Sequence, residues 1–470
     1  MLFADLLFVF VFFTLCITCY FIAPNIKVKN IVLVVFSLVF YAWGEPKLVF
    51  LFVFSALVNY LLALQIDKKR GTKWSKGFLA IALVYDIGML FVFKYTDFMI
   101  NNINGIFGTS IPLSNIALPL GISFYTFQII SYMIDVYWEK VAVQRNFGKL
   151  LMYISLFPQL VAGPIVRYST IANEIDDRRT TVQDAFEGFK RLIIGLTKKV
   201  LLANTMNTVV GACFGTDVAN ASVAGTWIGV IAYSMQVYFD FSGYSDMAIG
   251  MGRLFGFHFD ENFRYPFMCR SITEFWQRWH ISLGSFFRDY LLPVPIFGKR
   301  RQTLSLFLVW FTTGLWHGAS WNYVIWGLYF GLFLFIETKI GRKRLKKVPD
   351  VIMHVYNKLV IIVGFGIFHF TDFGQLGNFF KNLVGANGNA FIDEKTVQTV
   401  QTNLFILIIA VIACFPVAKL VQKLFDKTNP AVQSAAYICL TVFLIVALFT
   451  DTVILVKTFS SNNPFIYWTF

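Results

Sequence analysis

The sequence predicts an all-α, polytopic membrane protein. Of its 470 residues, 57% are hydrophobic and only 14% charged, against about 25% charged in a soluble domain. Uncharged apolar runs recur at lengths close to the roughly 20 residues that cross a hydrocarbon core of about 30 Å. Basic clusters occupy the short gaps between them, and 54 Phe residues exceed what a soluble core would bury.

The apolar runs fall at 5–23, 31–43, 47–66, 77–95, 116–138, 148–165, 223–241, 302–317, 320–338, 354–371, 402–421 and 434–457. They amount to roughly ten to twelve membrane segments. The first lacks a basic leader and an evident small-residue cleavage site, and is expected to be a retained helix. The run 148–165 is interrupted by Pro158, Gly163 and Pro164, so a re-entrant or kinked segment is expected there, lining protein or a wet cavity. With no internal repeat and no long soluble insertion, the chain reads as one membrane domain, 1–470, with its motifs densest over about 119–338.

The formal charge of +14 arises from 40 Lys and Arg against 26 Asp and Glu. Lys68-Lys69-Arg70, Lys299-Arg300-Arg301, Arg342-Lys343-Arg344 and Lys346-Lys347 all sit in gaps between runs. That is the pattern of cytoplasmic loops in a multi-pass protein of the plasma (inner) membrane; it argues for contact with membrane lipids and against a nucleic-acid surface. The six Cys are scattered, mostly within apolar runs, and Cys16-x-x-Cys19 has no βαβ context, so packing is expected rather than redox or zinc chemistry.

Two segments are amphipathic. Over 184–204, Phe186, Phe189, Ile193, Leu196 and Val200 recur at three to four while Lys190, Arg191, Lys198 and Lys199 fall elsewhere, as in an interfacial helix or the snorkelling end of a spanning one. The second starts at Ser271, whose spacing to Glu274 fits a capping box, and is expected to continue as a helix to Pro293. On it Trp276, His280, Gly284 and Arg288 repeat every four residues and share a face. His280 there is either functional or an interface histidine bonded to a neighbour.

From Gln302 through Ile336 there is no Asp, Glu, Lys or Arg, and both borders are predominantly basic. A stretch of this length with both ends cytoplasmic is a helical hairpin, interrupted at Trp316-His317-Gly318-Ala319-Ser320. Its first limb reaches about 22 Å into a core about 30 Å thick, so His317 stops inside the membrane. An intramembrane ionisable group is by default a functional one; the alternative is a structural histidine bonded to a backbone carbonyl. A neutral imidazole takes a hydroxyl proton and returns it to a leaving group, which few side chains do.

Other constellations are missing. There is no H-E-x-x-H and no G-x-x-x-x-G-K-[ST], which removes support for metal hydrolysis and direct ATP use. There is no G-x-S-x-G, and Gly250, Gly252 and Gly256 have the wrong spacing for a dinucleotide site. Gly327-x-x-x-Gly331 is read as close helix packing. Asp240 and Asp246 flank Phe241-Ser242-Gly243-Tyr244-Ser245, where a tight turn would offer hydroxyls to a substrate and a helix end would bond to itself.

The stretch Phe275-Trp276-Gln277-Arg278-Trp279-His280-Ile281-Ser282-Leu283, followed by Phe287-Arg288-Asp289-Tyr290, resembles the signature of membrane-bound O-acyltransferases. Leu315-Trp316-His317-Gly318-Ala319-Ser320-Trp321-Asn322 is similar to that family's catalytic-histidine block, 37 residues after His280. Phe40 to Pro46, Pro119 to Phe124, Pro158 to Ile165, Asp240 to Asp246 and Pro464 to Tyr467 resemble its alginate O-acetylation branch. One departure is Leu291 to Phe297, where that branch continues with a glycine-rich stretch.

The resemblance implies a helical fold with a central tunnel, in which a cytoplasmic acyl thioester (acetyl-CoA or an acyl carrier) is co-substrate and no metal or bound cofactor is needed. It implies His317 and His280 as catalytic residues, with Arg288, Trp316, Asp240, Ser242 and Asp246 toward substrate. It also implies an extracytoplasmic acetyltransferase or esterase-like partner and O-acetylation of an exported polysaccharide. D-alanyl transfer to teichoic acid is the alternative within the class. A transporter or flippase with His317 as proton relay is the alternative outside it, disfavoured by the absence of acidic residues along the hairpin.

Overall fold

The computed structural model describes residues 3–161, 163–299, 301–425 and 427–458. Arg300, Ala162 and the Pro464 to Tyr467 stretch therefore lie outside the described residues. Among the described residues the regular structure is helical, with one isolated antiparallel bridge between Ile296 and Lys299 as its β-structure. Seven helices among the described residues are long and apolar enough to cross a membrane: Ile26–Gly44, Leu48–Lys68, Lys73–Phe107, Trp321–Ile340, Asp350–His369, Glu394–Ala413 and Pro430–Lys457. The remaining apolar runs form shorter helices, such as Leu7–Ile22, Ile122–Tyr137 and Gln302–His317, or belong to the more polar Val223–Leu254.

Local sequence sets many of the helix ends. Asn25, Asp372, Asp393 and Asn429 each accept a backbone N–H with the side chain at the start of a helix, satisfying one of the donors a first turn leaves open. The interrupted run behaves as its prolines dictate: Phe147–Ser155 stops, a single turn Phe157–Leu160 follows, and the chain then leaves helical geometry.

The contacts divide the chain into two compact units. The first comprises Met1–Leu192, Ser245–Glu261 and Ser285–Tyr290. Phe8, Phe12, Phe40 and Phe157 form its aromatic core, with ring centroids 5.4–6.1 Å apart. The Tyr20 hydroxyl (2.6 Å) and the Arg178 Nε–H (2.9 Å) both donate to the carbonyl of Phe255.

The second unit comprises Ile193–Tyr244, Asn262–Gly284 and Leu291–Phe470. Its centre is the expected hairpin, Gln302–His317 and Trp321–Ile340. The two limbs approach so closely that a Cβ on Gly327 would lie 2.2 Å from the carbonyl oxygen of Trp310, and one on Gly314 would lie 2.3 Å from that of Tyr323. Gly327 thus packs helix against helix, as its spacing to Gly331 suggests. Asn322 donates to the carbonyls of Ile367 (3.3 Å) and Phe368 (3.1 Å), tying the hairpin turn to the end of Asp350–His369.

Two expectations change. The amphipathic segment 184–204 runs within Val182–Thr197, Lys198–Ala203 and Asn204–Phe214, the middle piece being π-helical. Lys199 on it does not snorkel, because it is buried and paired with Asp240 at 2.7 Å. The Asp240 to Asp246 stretch is neither a turn nor a helix end: it lies inside the continuous helix Val223–Leu254. Ala, Met and aromatic residues on both sides carry helical geometry through Gly243, which alone is too weak a breaker.

Candidate active site

His317 is the last residue of its helix, with Gly318 as the C-cap. The side chain is buried and meets three aromatic rings edge-on: Trp316 at 4.9 Å, Trp326 at 4.9 Å and Phe368 at 5.3 Å between centroids. The limb of 16 residues carries the imidazole about 24 Å from the basic end of the hairpin. The indole N–H of Trp326 is buried and meets no acceptor among the described residues. An unmatched buried donor is costly, and here it borders the imidazole.

His280 is also buried, and its local geometry departs from expectation. The helix opened by Ser271 ends at Arg278, and a new one runs Ile281–Phe286. Between them His280 has φ of 44°, a left-handed conformation that strains a side chain with a Cβ. The capping box itself forms, Ser271 Oγ accepting from the Glu274 N–H at 3.1 Å. Because the chain turns at His280, Trp276, His280, Gly284 and Arg288 do not share one helix face. Arg288 belongs to the first unit, exposed and paired with Asp289 at 2.8 Å.

Asn262 organises the turn. Its Oδ1 accepts from the Ser282 N–H at 3.1 Å and the Ser282 hydroxyl at 2.9 Å, and lies 3.2 Å from His280 Nδ1. The Ser282 backbone donor fixes which end of the amide is oxygen. His280 Nδ1 must then carry the proton, which leaves Nε2 as the basic nitrogen. Asn262 was not among the sequence candidates: it lies 18 residues from His280 and no local pattern links them.

Within the second unit Trp316 joins the two histidines, its ring 5.8 Å from His280 and 4.9 Å from His317. Phe241 packs edge-on against His280 at 4.5 Å. Its neighbours Asp240 and Ser242 are buried, Asp240 in the pair with Lys199. Asp246 belongs to the first unit, where Arg191 reaches it at 2.8 Å and Glu261 at 2.5 Å. Also in that unit, burial alone would raise the Asp289 carboxyl, but hydrogen bonds and charge from Arg288 and Arg167 hold its pKa below the ordinary value.

The chain is similar to known proteins over most of its length. The model of the membrane-bound O-acyltransferase family matches residues 35–373. A probable alginate O-acetylase AlgI of Pseudomonas aeruginosa is 38% identical over 377 residues, 78% of this chain and 72% of that protein. A peptidoglycan O-acetyltransferase of Helicobacter pylori is 33% identical over 427 residues, 83% and 80% of the two chains. A teichoic acid D-alanyltransferase of Bacillus subtilis is 30% identical over 281 residues, 56% and 69%. With both buried histidines and the ring between them inside a match of that extent, the chain belongs to the membrane-bound O-acyltransferase family.

Proposed function

We propose that this acyltransferase O-acetylates an exported polysaccharide, taking the acetyl group from a thioester on the cytoplasmic side. The observation that carries the reading is the position of His317: a buried imidazole at the turn of a hairpin whose two ends are basic. The names of the Pseudomonas and Helicobacter relatives supply the acetyl group and the envelope polymer.

In this reading His317 accepts the proton of an acceptor hydroxyl as its oxygen attacks the thioester carbonyl. The carbon–sulfur bond breaks, the ester forms, and the thiolate leaves with the proton from the imidazolium. No protein nucleophile is required. His280, with Nε2 as its basic nitrogen, orients the acceptor, and Trp316 separates the two imidazoles. The acceptor is the sugar hydroxyl or a group on an extracytoplasmic esterase-like partner. The donor is acetyl-CoA or an acyl carrier.

Trp326 has a role that sequence does not reveal. Its N–H suits the carbonyl oxygen on which negative charge develops. Trp326→Phe keeps the ring and removes the donor, and is expected to lower kcat about tenfold or more with KM little changed; an unaltered kcat removes the residue from the mechanism.

The test of the function is mass spectrometry of the cell-surface polymer in a deletion strain with and without the chain restored. Loss and recovery of acetyl esters is expected. Loss of D-alanyl esters would assign the chain to the other transfer, and no change in either ester would reject the proposal.

A further inference from the structure

We propose that a cavity at the basic end of the hairpin is a binding site for a phosphate-bearing ligand. It has a volume of about 580 Å³ and lies wholly within the second unit. Arg270, Arg342 and Lys346 line it together with Glu274 and Glu337.

Which ligand it takes depends on the charges that remain unmatched. Glu337 is buried and accepts from the N–H of Ile272 (2.7 Å), the N–H of Thr273 (2.9 Å) and the Thr273 hydroxyl (2.6 Å). Glu274 accepts from the Arg270 N–H at 2.9 Å and the Arg278 guanidinium at 2.5 Å. Both carboxylates are therefore already surrounded by donors.

The cations are not so matched. Arg342 and Lys346 are exposed and make no ion pair among the described residues. Arg270 reaches Asp350 at 2.5 Å and the Val348 carbonyl at 3.2 Å, yet its Nε–H is buried and meets no acceptor among the described residues. Two unpaired cations and an orphaned guanidinium donor, beside the hydroxyl-bearing Ser271 and Thr338, call for a ligand of high negative charge with several acceptor oxygens. Phosphate has both, and guanidinium geometry suits it.

The basic run from Arg342 to Lys347 assigns this end to the cytoplasmic side. Two phosphates are available there: the headgroup of an anionic lipid of the inner leaflet, and the phosphates of coenzyme A. The second source rests on the thioester reading above, and the first does not.

The experiment compares the full parental chain with the Arg342→Gln, Lys346→Gln double variant, both substitutions being at exposed positions. Coenzyme A, which carries no acyl group and so binds without turnover, is titrated calorimetrically against detergent-purified protein. In parallel, nanodiscs of mixed phosphatidylglycerol and phosphatidylcholine are analysed by native mass spectrometry for retained lipid. The double variant is expected to weaken coenzyme A by about tenfold or more, the scale of one lost charge-assisted contact, or to lose retained phosphatidylglycerol. The arm that responds identifies the source. If the parental protein binds neither probe, or the double variant binds both as the parent does, the proposal is overturned. Neither arm requires His317 to act, so such a failure leaves the transfer reading standing.

Discussion

His317→Ala is expected to leave a membrane-inserted protein of normal abundance that transfers acyl groups about a hundred- to ten-thousandfold more slowly, the range that general acid–base groups supply. The reason is positional as much as chemical. The imidazole lies among Trp316, Trp326 and Phe368, none of which can take a proton from a hydroxyl. Truncation also opens a space between those rings, so His317→Gln, which keeps volume and polarity without basicity, separates lost packing from lost chemistry. Both variants should be equally slow if proton transfer is the issue. Ester formation per protein molecule is the measurement, with thioester consumption followed in parallel. A variant that forms esters at the parental rate would remove His317 from the mechanism.

The hairpin and His317 were readable from composition and spacing, whereas His280 and Trp316 entered the candidate site through the family resemblance. The hairpin follows from a charge-free stretch with basic borders, and the distance of His317 from its basic end follows from helix rise alone. What escaped the sequence was contact across chain distance. Nothing between Ser271 and Pro293 announces that the helix stops at Arg278, because the apolar spacing continues through the break and a left-handed histidine has no sequence signature. The turn exists because Asn262 receives Ser282 and His280 together, a bond pattern that local periodicity does not encode. Asp240 was visible as an acid in an apolar run, but its partner was not. The rule that an intramembrane charge needs a counter-charge would have prompted a search for a partner lysine, and buried Lys199 is that residue.

Breaking the Lys199–Asp240 pair carries the largest stability effect expected of any single substitution here. The two groups meet at 2.7 Å with 4% and 3% of their side chains exposed, so Lys199→Met takes one partner out of a buried ion pair, at a cost of about 3–5 kcal/mol. Adding Asp240→Leu removes the second charge as well, and a well-packed apolar pair of similar volume is often neutral or stabilising by about 1–4 kcal/mol. The double variant should therefore recover most of the stability that the single variant loses, read as the thermal midpoint of detergent-purified protein. Activity is expected to follow a different course. A Cβ on Gly243 would lie 2.7 Å from the Gly195 carbonyl oxygen, so at this level the two helices touch backbone to backbone, and the ion pair fixes their register. Phe241, the residue after Asp240, rests on the His280 ring, so a small slip of one helix along the other moves a wall of the site. A double variant that regains its thermal midpoint but not its kcat would show that the pair holds Phe241 in place against His280. Full recovery of both would make the pair a matter of folding alone, and a Lys199→Met protein as stable as the parent would mean that the two charges do not meet.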